Sequence, residues 1–131
     1  MTSFMMPLTA IQPSQLYISA AKLAQIESWF DPAHLADYDP LPVKRLAERV
    51  VFTDGHTRAL AALRAGLAAV RVAWDEDDLD WDAYAICVAW CLADGITTTA
   101  DLAGRIVTAG EYEVVWLDRC RVMQAELHDH P

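Results

Sequence analysis

The residues of this chain best suited to chemistry are Asp54-Gly55-His56-Thr57-Arg58. Glycine takes backbone conformations that other residues avoid and lets a ligand approach the main chain closely. The first turn of a helix leaves N–H groups unpaired, and its dipole favours an anion there. Thr57 adds a hydroxyl donor, and Arg58 adds a planar, permanently charged fork that matches phosphate oxygens. His56 can donate to an oxygen or shuttle a proton. Asp54 can orient His56 or Arg58, or hold a divalent cation. Together they describe a cradle for a phosphate group. His56 and Asp54 are its candidate catalytic residues, and Gly55, His56, Thr57 and Arg58 its candidate ligand-binding residues. A plainer reading stands beside it, in which Asp54 caps the helix and Arg58 pairs with the acidic surface.

Such a cradle needs a strand that ends at Thr53 and a helix that begins at His56. Residues 49–53 supply the strand and 56–65 the helix, with Leu60 and Leu63 on its buried side and Gly66 at the expected left-handed cap. Residues 41–46 read as a partner strand, joined through Ala47-Glu48 as a hairpin, and Pro42 suits an edge position. Residues 69–73 read as a further strand and 8–11 as a short opening strand stopped by Pro13. Ser19 caps an expected helix over 20–30, whose stripe is Leu23, Ile26 and Phe30. Asp31-Pro32 ends it, and 31–40 reads as a loop carrying His34. Beyond residue 80 three helices are expected: 81–93, ended by Gly95; 100–107, capped by Thr98 or Thr99; and 111–127, preceded by Gly110. The expected fold class is therefore α+β: a core over 8–74 and a three-helix cap over 80–131. The cap is too short to bury a core alone and should pack on the sheet within one domain.

The chain has 131 residues, 54% hydrophobic and 22% charged, a globular balance with five tryptophans for the core. Its net charge of −9 is the wrong sign for gripping a nucleic-acid backbone or an anionic membrane surface. A small anion remains compatible, since a local cluster of donors is enough to bind it. The N-terminal residues carry no basic residue and no long apolar stretch, unlike a secretory signal, and no stretch is long enough to span a bilayer. Three cysteines without framework spacing, Cys87, Cys91 and Cys120, suggest reduced thiols in a cytoplasmic protein.

The remaining candidates carry plainer accounts. The acidic run over 75–82 can attract Mg²⁺ near a phosphate, but such runs are usually solvated loops, and Asp80 suits the cap before Trp81. Cys87 and Cys91 lack further zinc ligands at short spacing, so all three thiols read as buried. Trp81, Tyr84, Trp90, Tyr112 and Trp116 read as core, or as the wall of a pocket or partner surface. Lys44 and Arg45 alternate across a strand, so at most one can assist Arg58. His128 and His130 read as a frayed tail.

The order strand, Asp-Gly-His-Thr-Arg, helix, Gly, strand resembles the ParB/sulfiredoxin fold, often labelled ParB-like nuclease domain. The resemblance covers about residues 8–74. It includes Leu8-Thr9-Ala10-Ile11-Gln12-Pro13, Leu41-Pro42-Val43, and Ala59, Ala61, Ala62 and Gly66-Leu67. ParB partition proteins, which resemble CTP-binding clamps, carry Gly-Glu-Arg-Arg at the motif; here the glycine and final arginine match. Sulfiredoxins carry Gly-Cys-His-Arg, and His56 stands in place of their working cysteine. The free-serine kinases of this fold, with Asp-Gly-His-His-Arg, match best. That resemblance implies that Asp54, Gly55, His56, Thr57 and Arg58 contact the phosphates of a nucleotide or phosphoryl donor; ADP, ATP and CTP are the candidate nucleotides, and Mg²⁺ is a candidate companion. Those kinases place a glutamate base shortly after the opening proline, whereas Pro13-Ser14-Gln15-Leu16-Tyr17 holds no carboxylate.

The expected function is a phosphate- or nucleotide-binding domain, with phosphoryl transfer to a small metabolite such as free serine as its candidate reaction. The alternative is a non-catalytic module whose helical cap contacts a protein partner or a second copy. The nuclease label fits least, given the net charge and the lack of a carboxylate cluster around the motif.

Overall fold

A computed structural model describes residues 2–129, so His130 lies outside the described residues. The fold is mixed α+β, with a curled four-stranded sheet, helices and a long C-terminal helix of about 21 residues. The sheet has the order β1 (Phe4–Pro7), β5 (Ala69–Trp74), β3 (Leu41–Leu46), β4 (Arg49–Phe52). β1 runs antiparallel to β5, β5 parallel to β3, and β3 antiparallel to β4. A second, two-stranded sheet pairs β2 (Ile18–Ser19) in parallel with β6 (Ile106–Val107).

The helices are α1 (Ala20–Glu27), α2 (His56–Arg64) and α3 (Trp81–Ala93), followed by α4 (Ala109–Tyr112). A π-helical stretch, Glu113–Asp118, joins α4 without a break to α5 (Arg119–Asp129). Ser19 caps α1, Asp80 caps α3 and Thr108 caps α4 through side-chain oxygens, as their types favour. Both α2 and α3 end on a left-handed glycine, Gly66 at φ +93° and Gly95 at φ +77°. In each case two reverse hydrogen bonds close the last turn: Gly66 N to Leu63 O with Leu67 N to Ala62 O, and Gly95 N to Leu92 O with Ile96 N to Cys91 O.

Several expectations change. The opening strand is Phe4–Pro7, and Leu8–Ala10 forms a 3₁₀ turn that buries Leu8 while its N–H reaches Ala68 O. α1 stops at Glu27, and Phe30 is reached through a turn in which its N–H and that of Trp29 both bond Ile26 O. The expected helix over 100–107 is a 3₁₀ segment, Thr99–Gly104, followed by β6. Its Ile106-Val107 pair is β-branched and finds β2 as a partner, a tertiary pairing invisible to local pattern. Gly110 lies inside α4 and does not precede it.

The hairpin at Ala47-Glu48 is present, with Ala47 at φ +54°. Pro42, however, occupies an interior strand, because β3 lies between β5 and β4. Residue 42 stands opposite Thr53, whose N–H donates to Pro42 O at 3.1 Å. Proline cannot return the second bond of that pair. The Tyr84 hydroxyl supplies it, donating to Thr53 O at 2.9 Å. The proline is tolerated because α3 repairs the ladder.

Two apolar cores result. Leu8, Ile11, Leu41, Val43, Phe52 and Val72 pack between the sheet and the Ala59–Ala62 side of α2. Leu16, Leu23, Cys91, Leu102, Trp116 and Met123 gather on the other side of α2, around Leu60 and Ala61. The C-terminal helices therefore gather with α1, α2 and β2 in this second core, while α3 also reaches the sheet, through Tyr84 on Thr53 O and Trp81 beneath Lys44. Gln12 ties the two halves, donating from Nε2 to Ile96 O at 2.7 Å.

Candidate functional site

Gly55 opens α2 in the left-handed conformation, φ +78°. The position demands glycine on conformation, and a Cβ there, 2.6 Å from Leu41 Cδ2, would also force that side chain to shift. The Gly55 N–H is taken by Asp54 Oδ1 at 2.8 Å. Among the described residues no side chain caps the first turn of α2, whereas α1, α3 and α4 are each capped. Its N–H groups are left for solvent or a ligand.

The side chains of the motif then diverge. His56 is buried, and its Nε2 accepts from the Ser14 backbone N–H at 2.9 Å. The Ser14 hydroxyl in turn donates to Phe52 O at 2.7 Å. Burial pulls the His56 imidazole down to about 4, against the opposing pull of Asp54, so the ring is neutral at physiological pH. An acceptor at Nε2 places the ring proton on Nδ1. His56 thus anchors the segment after the opening 3₁₀ turn to α2, and it lines a cavity of about 310 Å³ with Ser14, Tyr84, Cys87, Trp116 and Cys120.

Arg58 turns the other way, donating from Nη1 to Asp39 O at 2.7 Å. Partial burial lowers its pKa, Asp39 and Asp54 oppose that, and nearby Arg71 adds to it; the guanidinium stays charged throughout. Arg71, on β5, was not singled out by the sequence. It donates to Tyr38 O and, at 3.1 Å, to Ser3 Oγ. Two arginines therefore hold the carbonyls of the segment that leads into β3. Only their shared neighbourhood across the sheet reveals the pair, since alternation along β5 gives no hint of it.

Asp54 is exposed and lines a cleft of about 640 Å³. Asp39, Asp75, Glu76 and Asp77 line it too, with Thr53 and Tyr84 at its inner wall. Asp75 is fixed there by the Thr53 hydroxyl, which donates to Oδ2 at 2.6 Å. Burial, then Asp54 and Asp75, raise the Tyr84 phenol, so it remains a donor. The acidic run is thus part solvated loop and part cleft wall, and Asp80 caps α3 as its type predicts. Among the described residues no three carboxylate, histidine or cysteine side chains converge as a ready metal cage.

The other candidates settle elsewhere. Lys44 lies over Trp81 and Arg45 over Trp74, so neither assists Arg58. His34 pairs with Asp31 at the surface. His128 belongs to α5, 3.1 Å from Asp80, and is not a frayed tail. No helix among the described residues is long and apolar enough to cross a membrane.

No family model matches the chain, and no curated protein matches it. Among solved structures it is similar to protein Atu1540 from Agrobacterium tumefaciens, with 13% identity and a TM-score of 0.47, over 73% of this chain and 50% of that one. The chain spans about half the length of that structure.

Proposed function

We propose that this protein binds the phosphates of a nucleotide, with Mg²⁺, where the N-terminus of α2 meets the acidic cleft. The observation that carries the proposal is the uncapped first turn of α2, opened by Gly55, directly after Asp54, which lines a cleft of about 640 Å³, a volume in the range of small-ligand sites. The N–H groups of His56, Thr57 and Arg58 would hold phosphate oxygens, and Arg58 would exchange Asp39 O for them. The carboxylates of the cleft repel a bare phosphate. Mg²⁺ removes that conflict, because it takes one or two carboxylates together with phosphate oxygens and keeps its waters. Asp54 and Asp75 are the residues for it. His56, neutral and buried, acts by positioning α2. The resemblance to the ParB/sulfiredoxin fold points the same way. Phosphoryl transfer to a hydroxyl-bearing metabolite such as free serine is the reaction class such a site supports, since positioning and electrostatics do most of that work.

Calorimetric titration of ADP, ATP and CTP, each with and without Mg²⁺, tests the reading. We expect binding only with Mg²⁺, weakened about 10- to 100-fold by Arg58→Ala and to a lesser degree by Asp54→Asn. Wild-type protein that binds none of the three in Mg²⁺ would overturn it.

A second reading rests on the C-terminal helix. Val114 and Val122 are 62% and 58% exposed at a spacing that places both on one side of the C-terminal helix, next to Trp90. That face suits contact with a second copy or another protein.

A further inference from the structure

Cys87 on α3 and Cys120 on α5 line one cavity and pack in the same apolar cluster. α3 and α5 pack directly against each other there. The two thiols differ in access. Cys87 is 7% exposed, whereas Cys120 is half-buried, on the wall of a space of about 310 Å³ that admits a small molecule. Arg119 adds positive charge beside Cys120 while lying over the Trp90 ring at 4.0 Å.

We propose that Cys120 is a hydroperoxide-reactive thiol and that Cys87 resolves its oxidised form as an intramolecular disulfide. The Cys87 contact and Arg119 hold the Cys120 thiol below its ordinary pKa, against the opposing effect of burial. The same contact, together with burial, pushes the Cys87 thiol well up, so one sulfur is the nucleophile and the other keeps its proton in reserve. In the first step the Cys120 thiolate attacks the distal oxygen of a hydroperoxide. An S–O bond forms and the O–O bond breaks. The departing oxygen takes a proton as water or alcohol, leaving a sulfenic acid. In the second step the Cys87 sulfur attacks the Cys120 sulfur. An S–S bond forms, the S–O bond breaks, and hydroxide leaves with the Cys87 proton as water. Two thiols and one hydroperoxide give one disulfide, one water and one further water or alcohol.

Cys91 is the internal control. It lies one turn from Cys87 on the same helix, is fully buried, and burial pushes its thiol up to about 12. The experiment uses the full-length protein. Brief iodoacetamide labelling compares the three cysteines, and stoichiometric hydrogen peroxide followed by intact mass and non-reducing peptide mapping reports the product. The expected result is Cys120 alkylated about tenfold faster than Cys91 or Cys87, and a peroxide product lighter by two hydrogens with Cys87 joined to Cys120. Cys87→Ala, checked for fold by circular dichroism, should stop at oxygen adducts on Cys120. The proposal is overturned if Cys120 labels as slowly as Cys91, if peroxide leaves wild type unchanged, or if the disulfide joins two chains. The wild-type map decides the matter should Cys87→Ala fail to fold.

Discussion

At the scale of single residues, His56 shows how a group equipped for proton transfer can be held as structure. Its Nε2 accepts from Ser14 N–H, and its burial keeps it neutral. The consequence is a pH dependence of folding with a definite sign. The unfolded imidazole titrates near 6.5 and the folded one near 4, so between those values the unfolded chain binds more protons. The contribution is fully present above about pH 6.5 and is lost as pH falls to about 4, amounting to about 3 kcal/mol. Glutamine at this position can still accept from Ser14 through its carbonyl oxygen. His56→Gln should therefore flatten that part of the stability–pH curve measured by urea unfolding. A wild-type slope retained in the variant would show that other groups carry it. The motif that holds His56 was legible as a helix opening with phosphate-binding residue types, and Gly55 is where the chain needs it. The divergence of its side chains was not, because burial of His56 depends on Ser14, and the orientation of Arg58 on Asp39, neither adjacent in sequence.

At the scale of elements, the join between β3, β4 and α3 carries a measurable coupling. Pro42 withholds one ladder hydrogen bond from Thr53 O, and Tyr84 restores it. Tyr84→Phe should destabilise the protein by about 1–2 kcal/mol, the cost of a buried carbonyl left unpartnered. In a Pro42→Ala background the restored backbone N–H can serve Thr53 O, so the same change should cost about 1 kcal/mol less. Additive effects in the double-mutant cycle would show that the hydroxyl and the proline act independently. Local pattern gave the hairpin, α2, α3 and their glycine caps within a residue or two, because capping and turn chemistry are decided by neighbours in sequence. Pattern placed Pro42 on an edge and made a helix of Ile106-Val107, because strand order and the β2–β6 pairing are set by contacts distant along the chain.

At the scale of the whole molecule, the C-terminal helix links two features. One side buries Tyr112, Trp116 and Met123 against α1 and α2, and the other exposes Val114 and Val122. If that outer side joins two copies, sedimentation velocity should show a dimer that Val122→Lys converts to monomer, with the far-ultraviolet spectrum unchanged. A wild-type monomer at every concentration would remove self-association and leave that face to other proteins.

The pairing of Ile18 with Ile106 also orders events in time during synthesis. All four strands of the main sheet, and α2, have been made once Trp74 emerges from the ribosome. α1 has been made earlier still and can pack on α2, yet the cluster of Leu16, Ile18, Leu23, Leu60 and Ala61 stays open on one side until Leu102, Trp116 and Met123 arrive. The apolar cluster between the first two helices therefore waits half-covered through the second half of elongation, and the nascent chain is most exposed to chaperones and to misassociation in that interval.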